Sequence, residues 1–126
     1  MLPFKLYHVW LILFGAKIVT RRRWKVRRAV PGGLHWAQTN RFDPDTRFAR
    51  LKVLEVYKER LGDMTERDAR KEGCRNLKAF RKVWKSLHGT WDPHEEVYVV
   101  EFEVVQALYH LAKALVGQPT KELVAA

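Results

Sequence analysis

The segment that decides the fold is the one in which a helical pattern gives way to an extended pattern. Residues 76–104 read NLKAFRKVWKSLHGTWDPHEEVYVVEFEV. Asn76 is a typical N-cap residue and Gly89 is a typical helix terminator, so we predict a helix between them. Residues 97–104 alternate in the period-two pattern of a strand. The segment therefore supplies both kinds of element of an α+β domain.

The predicted helix has two chemically different faces. Its apolar residues recur at helical spacing, and we expect this stripe to lie in the core: Leu77, Phe80, Val83, Trp84 and Leu87. Its basic residues lie mostly opposite: Lys78, Arg81, Lys82 and Lys85. A solvated surface is the simpler interpretation of this basic stripe, and a binding face is the alternative.

Outward from this segment, strands and helices follow one another along the rest of the chain. Strands are predicted at residues 17–24, 34–39 and 47–58, the last with a bulge or bend near Val53, and helices at residues 5–14, 65–72 and 105–116. Thr65 with Asp68 resembles a capping box for the second of these helices. We therefore expect an α+β domain in which mostly antiparallel strands curl into a small barrel. A helix pair is inserted in this barrel, and a helix flanks each end.

Positive charge is concentrated in the first third of the chain. The 126 residues suffice for one domain, and 24 Lys and Arg face 14 Asp and Glu. Residues 1–42 carry nine of these cations and no carboxylate, whereas residues 43–126 are nearly neutral. A field of one sign predicts a polyanionic partner, that is, nucleic acid, a phosphate-bearing ligand or an anionic membrane surface. Of these we expect RNA or a nucleotide. The alternative is a basic surface that serves solubility.

The apolar run from Leu6 to Phe14 is far shorter than the roughly 20 residues that cross a bilayer. We therefore expect a soluble, cytoplasmic protein with no membrane partner.

The single cysteine, Cys74, excludes a disulfide framework. Inert packing is the simpler interpretation of this thiol, and a hydrolase built on it is the alternative. A further hypothesis is a homodimer that pairs through the apolar first and last helices.

The basic run at residues 21–28, RRRWKVRR, carries the strongest functional signal. Guanidinium groups hold phosphates in bidentate geometry, and an interleaved aromatic ring can stack on an unpaired base. On a strand, Arg21 and Arg23 would share a face and Arg22 would take the other. The residues predicted to bind nucleic acid are Lys17, Arg21, Arg22, Arg23, Trp24, Lys25, Arg27, Arg28 and Trp36. The alternative is that Trp24 is core and the arginines form a solvated edge.

Metal and cofactor sites have no support in the sequence. Its five histidines include no close pair at ligand spacing, and no glycine-rich phosphate loop is present. We expect neither a metal nor a cofactor.

Lys17 and Thr20 form a second pattern, which is a weaker functional signal than the basic run. A buried lysine can act as a base, and a threonine hydroxyl can act as a nucleophile. A carboxylate from elsewhere, such as Glu72, would complete the group.

A motif near the N-terminus is similar to one in a known family. The pattern Gly15-x-Lys17-x-x-Thr20-x-Arg22 resembles the opening motif of the ASCH domain, which belongs to the PUA-like superfamily. Residues 60–73 and 77–103 resemble the later segments of that family. The resemblance implies a PUA-like barrel over residues 1–105 with a cleft beside the first helix, and RNA binding as its role. Residues 106–126 would then form a C-terminal helical extension.

One branch of that family removes the acetyl group from N4-acetylcytidine with a Lys-Thr-Glu set. By motif position these residues fall on Lys17 as base, Thr20 as nucleophile and Glu72 as an orienting or proton-transferring carboxylate. Ile18 departs from the pattern, because that branch often has a second threonine there. The resemblance therefore implies an RNA-binding module, with an N4-acetylcytidine amidohydrolase as the alternative.

Overall fold

A computed structural model describes residues 1–119 of the chain, so residues 120–126 of the predicted C-terminal extension lie outside the described residues. The elements, in chain order, are β1 (Leu2–Pro3), α1 (Val9–Leu13), β2 (Val19–Arg22), β3 (Leu34–Gln38), β4 (Arg47–Arg60), α2 (Glu66–Lys71), α3 (Leu77–His88), β5 (Glu96–Ala107) and α4 (Tyr109–Val116). Short 3-10 turns precede α1, β4 and α2. The predicted α+β class is confirmed.

The five strands form one curled, mixed sheet that makes a half-barrel. Their order is β1-β3-β4-β5-β2, so β1 and β2 are the two edges. β1 runs parallel to β3, and the other neighbours are antiparallel. The predicted predominance of antiparallel pairing is thus confirmed, with one parallel pair at an edge.

The long antiparallel pair of β4 and β5 is the centre of this sheet. Its register shifts twice, between Arg50 and Leu51 and between Val53 and Glu55. Each shift inserts an extra residue, which bends the strand and increases its twist. The bend predicted near Val53 is therefore confirmed, and it accounts for the curl of the sheet.

The core has three clusters that follow this curl. Phe48, Leu51 and Phe102 lie in the first, where residues of both α1 and α4 pack. Leu61 and Val97 lie in the second, under α2 and α3. The third cluster lies around Val53 and Val100, and the partly buried Trp24 packs against it. Val9, Trp10 and Ile12 of α1 and Ala112 of α4 are thus buried in one cluster, whereas Tyr109 and Leu111 of α4 are exposed. Trp10 Nε1 donates a hydrogen bond to the Gly117 carbonyl at 2.9 Å.

The caps of the helix pair match the sequence pattern. Thr65 Oγ1 accepts from the Asp68 amide at 3.1 Å, and Asp68 Oδ2 accepts from the Thr65 amide at 2.9 Å. Asn76 Oδ1 accepts from the Ala79 amide at 2.8 Å. The predicted capping box and N-cap are confirmed.

Two predicted element bounds are wrong. The strand predicted at 17–24 is confined to Val19–Arg22, because its pairing with β5 ends there. The helix predicted from residue 105 starts at Tyr109, because Gln106 and Ala107 still pair with β4. Val104 and Val105 are compatible with a helix or a strand, and the neighbouring long strand β4 makes this segment part of β5. None of the helices within residues 1–119 has the length and hydrophobicity that a bilayer-spanning segment needs.

Candidate functional site

A cavity of about 550 Å³ opens beside the edge strand β2. Its walls come from the N-terminal segment, from the turn between β3 and β4, and from one face of α3. The volume lies in the range typical of small-molecule sites. Its floor is made of buried charged and hydroxyl side chains.

A buried ion pair forms part of this floor. Lys17 Nζ lies 2.6 Å from Glu72 Oε1 and 3.3 Å from the Glu72 carbonyl oxygen. The two side chains are only 3% and 4% exposed. Two buried opposite charges in such contact are mutually required, because removing one leaves the other unpaired in a poorly solvated place.

The end of α2 brings Glu72 to Lys17. Gly73, which follows Glu72, has a φ of +86°, the left-handed conformation that ends a helix. A Cβ atom at Gly73 would lie 3.2 Å from Lys17 Cβ and 3.3 Å from Leu11 Cδ1. Glycine at this position therefore permits both the turn and the close approach of the two segments.

Arg21 holds the other oxygen of the same carboxylate. Its Nη1 lies 2.9 Å from Glu72 Oε2, and its Nη2 lies 2.9 Å from Glu59 Oε1. Burial alone would lower the pKa of Arg21, but the attraction of the two carboxylates raises it above its ordinary value. Both oxygens of Glu72 are thus held by cations.

Arg22 lies next to the Thr20 hydroxyl. Arg22 Nε donates to Thr20 Oγ1 at 3.1 Å, and its guanidinium lies over the Phe4 ring at 4.8 Å. Burial lowers the pKa of Arg22 to about 10, partly offset by Glu72, so the group stays charged at neutral pH. Among residues 1–119 no carboxylate lies within ion-pair distance of Arg22. We call Lys17, Thr20, Arg21, Arg22 and Glu72 the floor cluster.

His8 also lines the cavity, although the sequence pattern did not mark it as a site residue. Burial, with the nearby charges of Lys17, Arg22 and Lys5, lowers the pKa of His8 to about 3, so the ring is neutral at physiological pH. Its Nδ1 is buried and has no hydrogen-bond partner in the part of the chain that the structure describes. The available signal was the position of His8 as the sole polar residue of an apolar run.

Apolar side chains form two sides of the cavity. One side, the α3 wall, consists of Phe80, Val83, Trp84 and Leu87. Another side carries Phe42, on the turn between β3 and β4, whose exposed fraction is 84%. The α3 wall belongs to the predicted apolar stripe of that helix, whereas no sequence pattern singled out Phe42.

The structure brings together part of the predicted nucleic-acid set. Lys17, Arg21, Arg22 and Arg23 line the cavity, as do the predicted catalytic residues Thr20 and Glu72. Arg23 lies at the rim, where its Nε forms an ion pair with Glu95 at 2.6 Å. The remaining predicted residues do not line it: Trp24, Lys25, Arg27, Arg28 and Trp36.

The chain leaves the sheet after Arg22, and of the predicted basic-run residues beyond that point only Arg23 lines the cavity. The strand alternation expected for Arg21 and Arg23 does not extend past that point, because β2 has already ended. Trp24 packs against Tyr98, with ring centroids 5.8 Å apart. Arg27 Nη2 donates to the Val56 carbonyl at 3.2 Å.

Trp36 lies on β3, away from the cavity. The guanidinium groups of Arg47 and Arg50 lie 4.9 and 4.7 Å from its ring. Within residues 1–119 no three His, Cys, Asp or Glu side chains lie close enough together to share a metal ion.

No protein-family model and no curated protein matches the sequence. Solved structures do match the fold. An ASCH domain from Lactobacillus crispatus superposes with a TM-score of 0.65 at 16% identity, over 79% of this chain and 71% of that chain. An ASCH protein from Zymomonas mobilis covers 98% of this chain and 89% of its own, with a TM-score of 0.56 at 16% identity.

The chain has the ASCH-domain fold. A DUF984 protein from Enterococcus faecalis agrees, with a TM-score of 0.61 at 15% identity over 85% of this chain and 82% of that chain. The resemblance drawn from the Gly15–Arg22 motif is confirmed at the level of fold. Identities this low carry no residue roles, so the function must be argued from the cavity itself.

Proposed function

We propose that the cavity of this ASCH fold receives a single nucleoside and hydrolyses an amide on its base, with N4-acetylcytidine as the substrate to test. One observation carries the proposal. The Lys17–Glu72 pair, with its 2.6 Å contact, lies in the floor of a cavity of about 550 Å³ that Thr20 also lines. Buried titratable groups of this kind, placed in a cleft with a hydroxyl, are typical of a reactive site.

In the proposed first step, Thr20 Oγ attacks the acetyl carbonyl carbon. The hydrogen bond from Arg22 Nε to Thr20 Oγ1 uses an oxygen lone pair and leaves the hydroxyl proton free to depart. The positive charge of Arg22 also favours the developing alkoxide. The new O–C bond forms as the C–N bond to the base breaks, and the departing amine takes up a proton.

The proton is carried by the Lys17–Glu72 pair in this scheme. The pair has two forms, an ammonium with a carboxylate or an amine with a carboxylic acid, and one proton moving between the two atoms interconverts them. The second form leaves Lys17 as the base that accepts the Thr20 proton and returns it to the leaving amine. Water then cleaves the threonyl ester, so the net products are acetate and cytidine.

The test is incubation with N4-acetylcytidine, followed by chromatography for cytidine. We expect Lys17→Ala and the nearly isosteric Thr20→Val to reduce kcat by about 100-fold or more. Lys25→Ala is the matched control, because Lys25 belongs to the same basic run and lies outside the cavity. Absence of cytidine with the native protein, or an unchanged rate in Thr20→Val, would contradict the proposal.

A second candidate, RNA binding without catalysis, is favoured by the outer face of α3. Residues 75–90 contain no carboxylate. Their cations surround a shallow depression that also contains Trp91: Arg75, Lys78, Arg81, Lys82 and Lys85. The Arg81 guanidinium lies 5.3 Å from the Trp91 ring. A phosphate backbone is the natural partner of such a row. Undetectable binding of short single-stranded RNA at low salt would exclude this candidate.

A further inference from the structure

Phe42 is unusually exposed for a large apolar side chain. Its exposed fraction of 84% is the highest of any large apolar side chain among the described residues. It contributes nothing to the three core clusters, yet it lines the same cavity as the floor cluster. An exposed aromatic ring beside a cavity is a typical ligand contact.

The turn that carries Phe42 is held by hydrogen bonds. The Phe42 amide donates to Asn40 Oδ1 at 2.9 Å, and Gln38 Nε2 donates to the Asn40 carbonyl at 3.0 Å. Thr46 Oγ1 donates to the Asp43 carbonyl at 2.7 Å. Polar neighbours thus fix the backbone that positions the ring, so binding against it needs little further ordering of the loop.

The cavity has the polarity that a planar ring with polar edges requires. The α3 wall and Phe42 are apolar, whereas the floor cluster offers cations and a hydroxyl. The Arg41 guanidinium lies over the Phe42 ring at 5.1 Å and covers one face, so one face remains for a ligand. A nucleobase has two apolar faces and hydrogen-bonding edges. An aliphatic amide has no such face.

We propose that Phe42 is the residue on which the bound base stacks, and that the site therefore selects a nucleobase over aliphatic amides. The proposal rests on the proposed function, since it assumes that the cavity receives the nucleoside. It adds the ring-recognition element and places it outside the basic run, on the turn between β3 and β4.

The experiment measures the dissociation constant of cytidine by calorimetry. Cytidine is the unreactive product, so the measurement is independent of hydrolysis. We expect Phe42→Ala to raise this constant by about 5- to 150-fold, the range of base–aromatic stacking, and Phe42→Trp to bind at least as well as the native protein. Ribose 5-phosphate, which has no base, serves as a second ligand whose affinity should be the same in all three proteins.

Phe14→Ala is the matched control variant, since Phe14 is also exposed, at 47%, and does not line the cavity. It should bind cytidine like the native protein. Equal cytidine affinity in Phe42→Ala and the native protein would overturn the stacking role and leave the proposed function intact. Cytidine binding that depends on Phe42 without any hydrolysis of N4-acetylcytidine would support stacking and refute the catalytic proposal. No cytidine binding by the native protein would overturn both.

Discussion

At Glu72, two cations meet one buried carboxylate. Lys17 takes one oxygen and Arg21 takes the other, and Arg21 continues to Glu59. Removing one of these buried charges has a high free-energy cost, because it leaves another charge unpaired. The net contribution of the intact ion pairs to stability need not be large. In the proposed mechanism Arg21 is a positioning residue for Glu72, because it holds the carboxylate oxygen that Lys17 does not.

Arg21 and Arg23 give a matched test of this interpretation. Arg21 is 2% exposed in its side chain and Arg23 is 45% exposed, and each pairs with a glutamate. We expect Arg21→Leu to lower the free energy of unfolding by about 3–5 kcal/mol. Arg23→Leu should lower it by less than about 1 kcal/mol. Urea denaturation measures both, and equal losses would contradict the buried network.

His8 predicts a specific dependence of stability on pH. Its folded pKa of about 3 lies below the ordinary value of 6.5. Between these values the unfolded chain binds more protons than the folded chain. Stability is therefore complete above pH 6.5 and falls as the pH falls. From this group alone we expect a loss of about 2 kcal/mol between pH 7 and pH 5.

The control for this prediction is His8→Gln, which cannot titrate. Its free energy of unfolding should fall less than that of the native protein over the same pH interval. Parallel pH dependences for the two proteins, measured by urea denaturation at each pH, would show that His8 is not held neutral by the fold.

At the scale of elements, α2 and α3 end in the same way and differ in what surrounds the end. Gly73 and Gly89 both have a φ of +86°. A Cβ at Gly73 would press on Lys17 and Leu11, whereas a Cβ at Gly89 would meet nothing within 4 Å. The termination of α2 is thus coupled to the site, and the termination of α3 is not.

Alanine substitutions at Gly73 and Gly89 should separate the strain of the left-handed backbone from the steric effect of a Cβ on Lys17. Gly89→Ala should cost only the strain of the left-handed backbone, about 1–2 kcal/mol. Gly73→Ala should cost more, because the added Cβ also displaces Lys17 from Glu72. It should reduce hydrolysis of N4-acetylcytidine as well, which Gly89→Ala should not. Thermal unfolding and the cytidine assay check the pair, and identical behaviour of the two variants would contradict the coupling.

At the scale of the whole molecule, cationic side chains are concentrated in two places, although nearly all of the net charge of +10 belongs to residues 1–42. Part of the basic N-terminal third enters the cavity, and α3 carries a separate outer row. The two regions predict different behaviour. Under the proposed function the cavity would act on one nucleoside, whereas the outer row would add a salt-dependent attraction for a single strand of RNA.

Lys82 and Lys85 test the outer row. We expect Lys82→Gln/Lys85→Gln to weaken binding of single-stranded RNA. The double substitution should also reduce the slope of log K against log salt by about 1.4, because each lysine that neutralises a phosphate contributes about 0.7 to that slope. Hydrolysis of free N4-acetylcytidine should not change. The control Lys52→Gln/Lys113→Gln removes the same charge elsewhere, and an equal reduction of the slope there would mean that only net charge matters.

The sequence by itself determined the elements other than the edge strand β1, which no pattern predicted, and it determined how the helix pair is capped. Asn76 and Thr65 act on amides three residues away, and Gly73 and Gly89 act on their own backbone, so local pattern was enough. It also marked Lys17, Thr20 and Glu72, through their likeness to a family motif.

Only the tertiary structure decided which cations share the cavity. Lys17 and Glu72 are 55 residues apart in sequence. Arg21 and Arg22 still pair in β2 and line the cavity, whereas Trp24 lies beyond the end of β2 and packs against Tyr98. Phe42 lines the cavity because the turn between β3 and β4 carries it there, and this turn lies outside the basic run at residues 21–28. Long-range pairing and burial depend on the curl of the whole sheet, and no local pattern of residues carries that information.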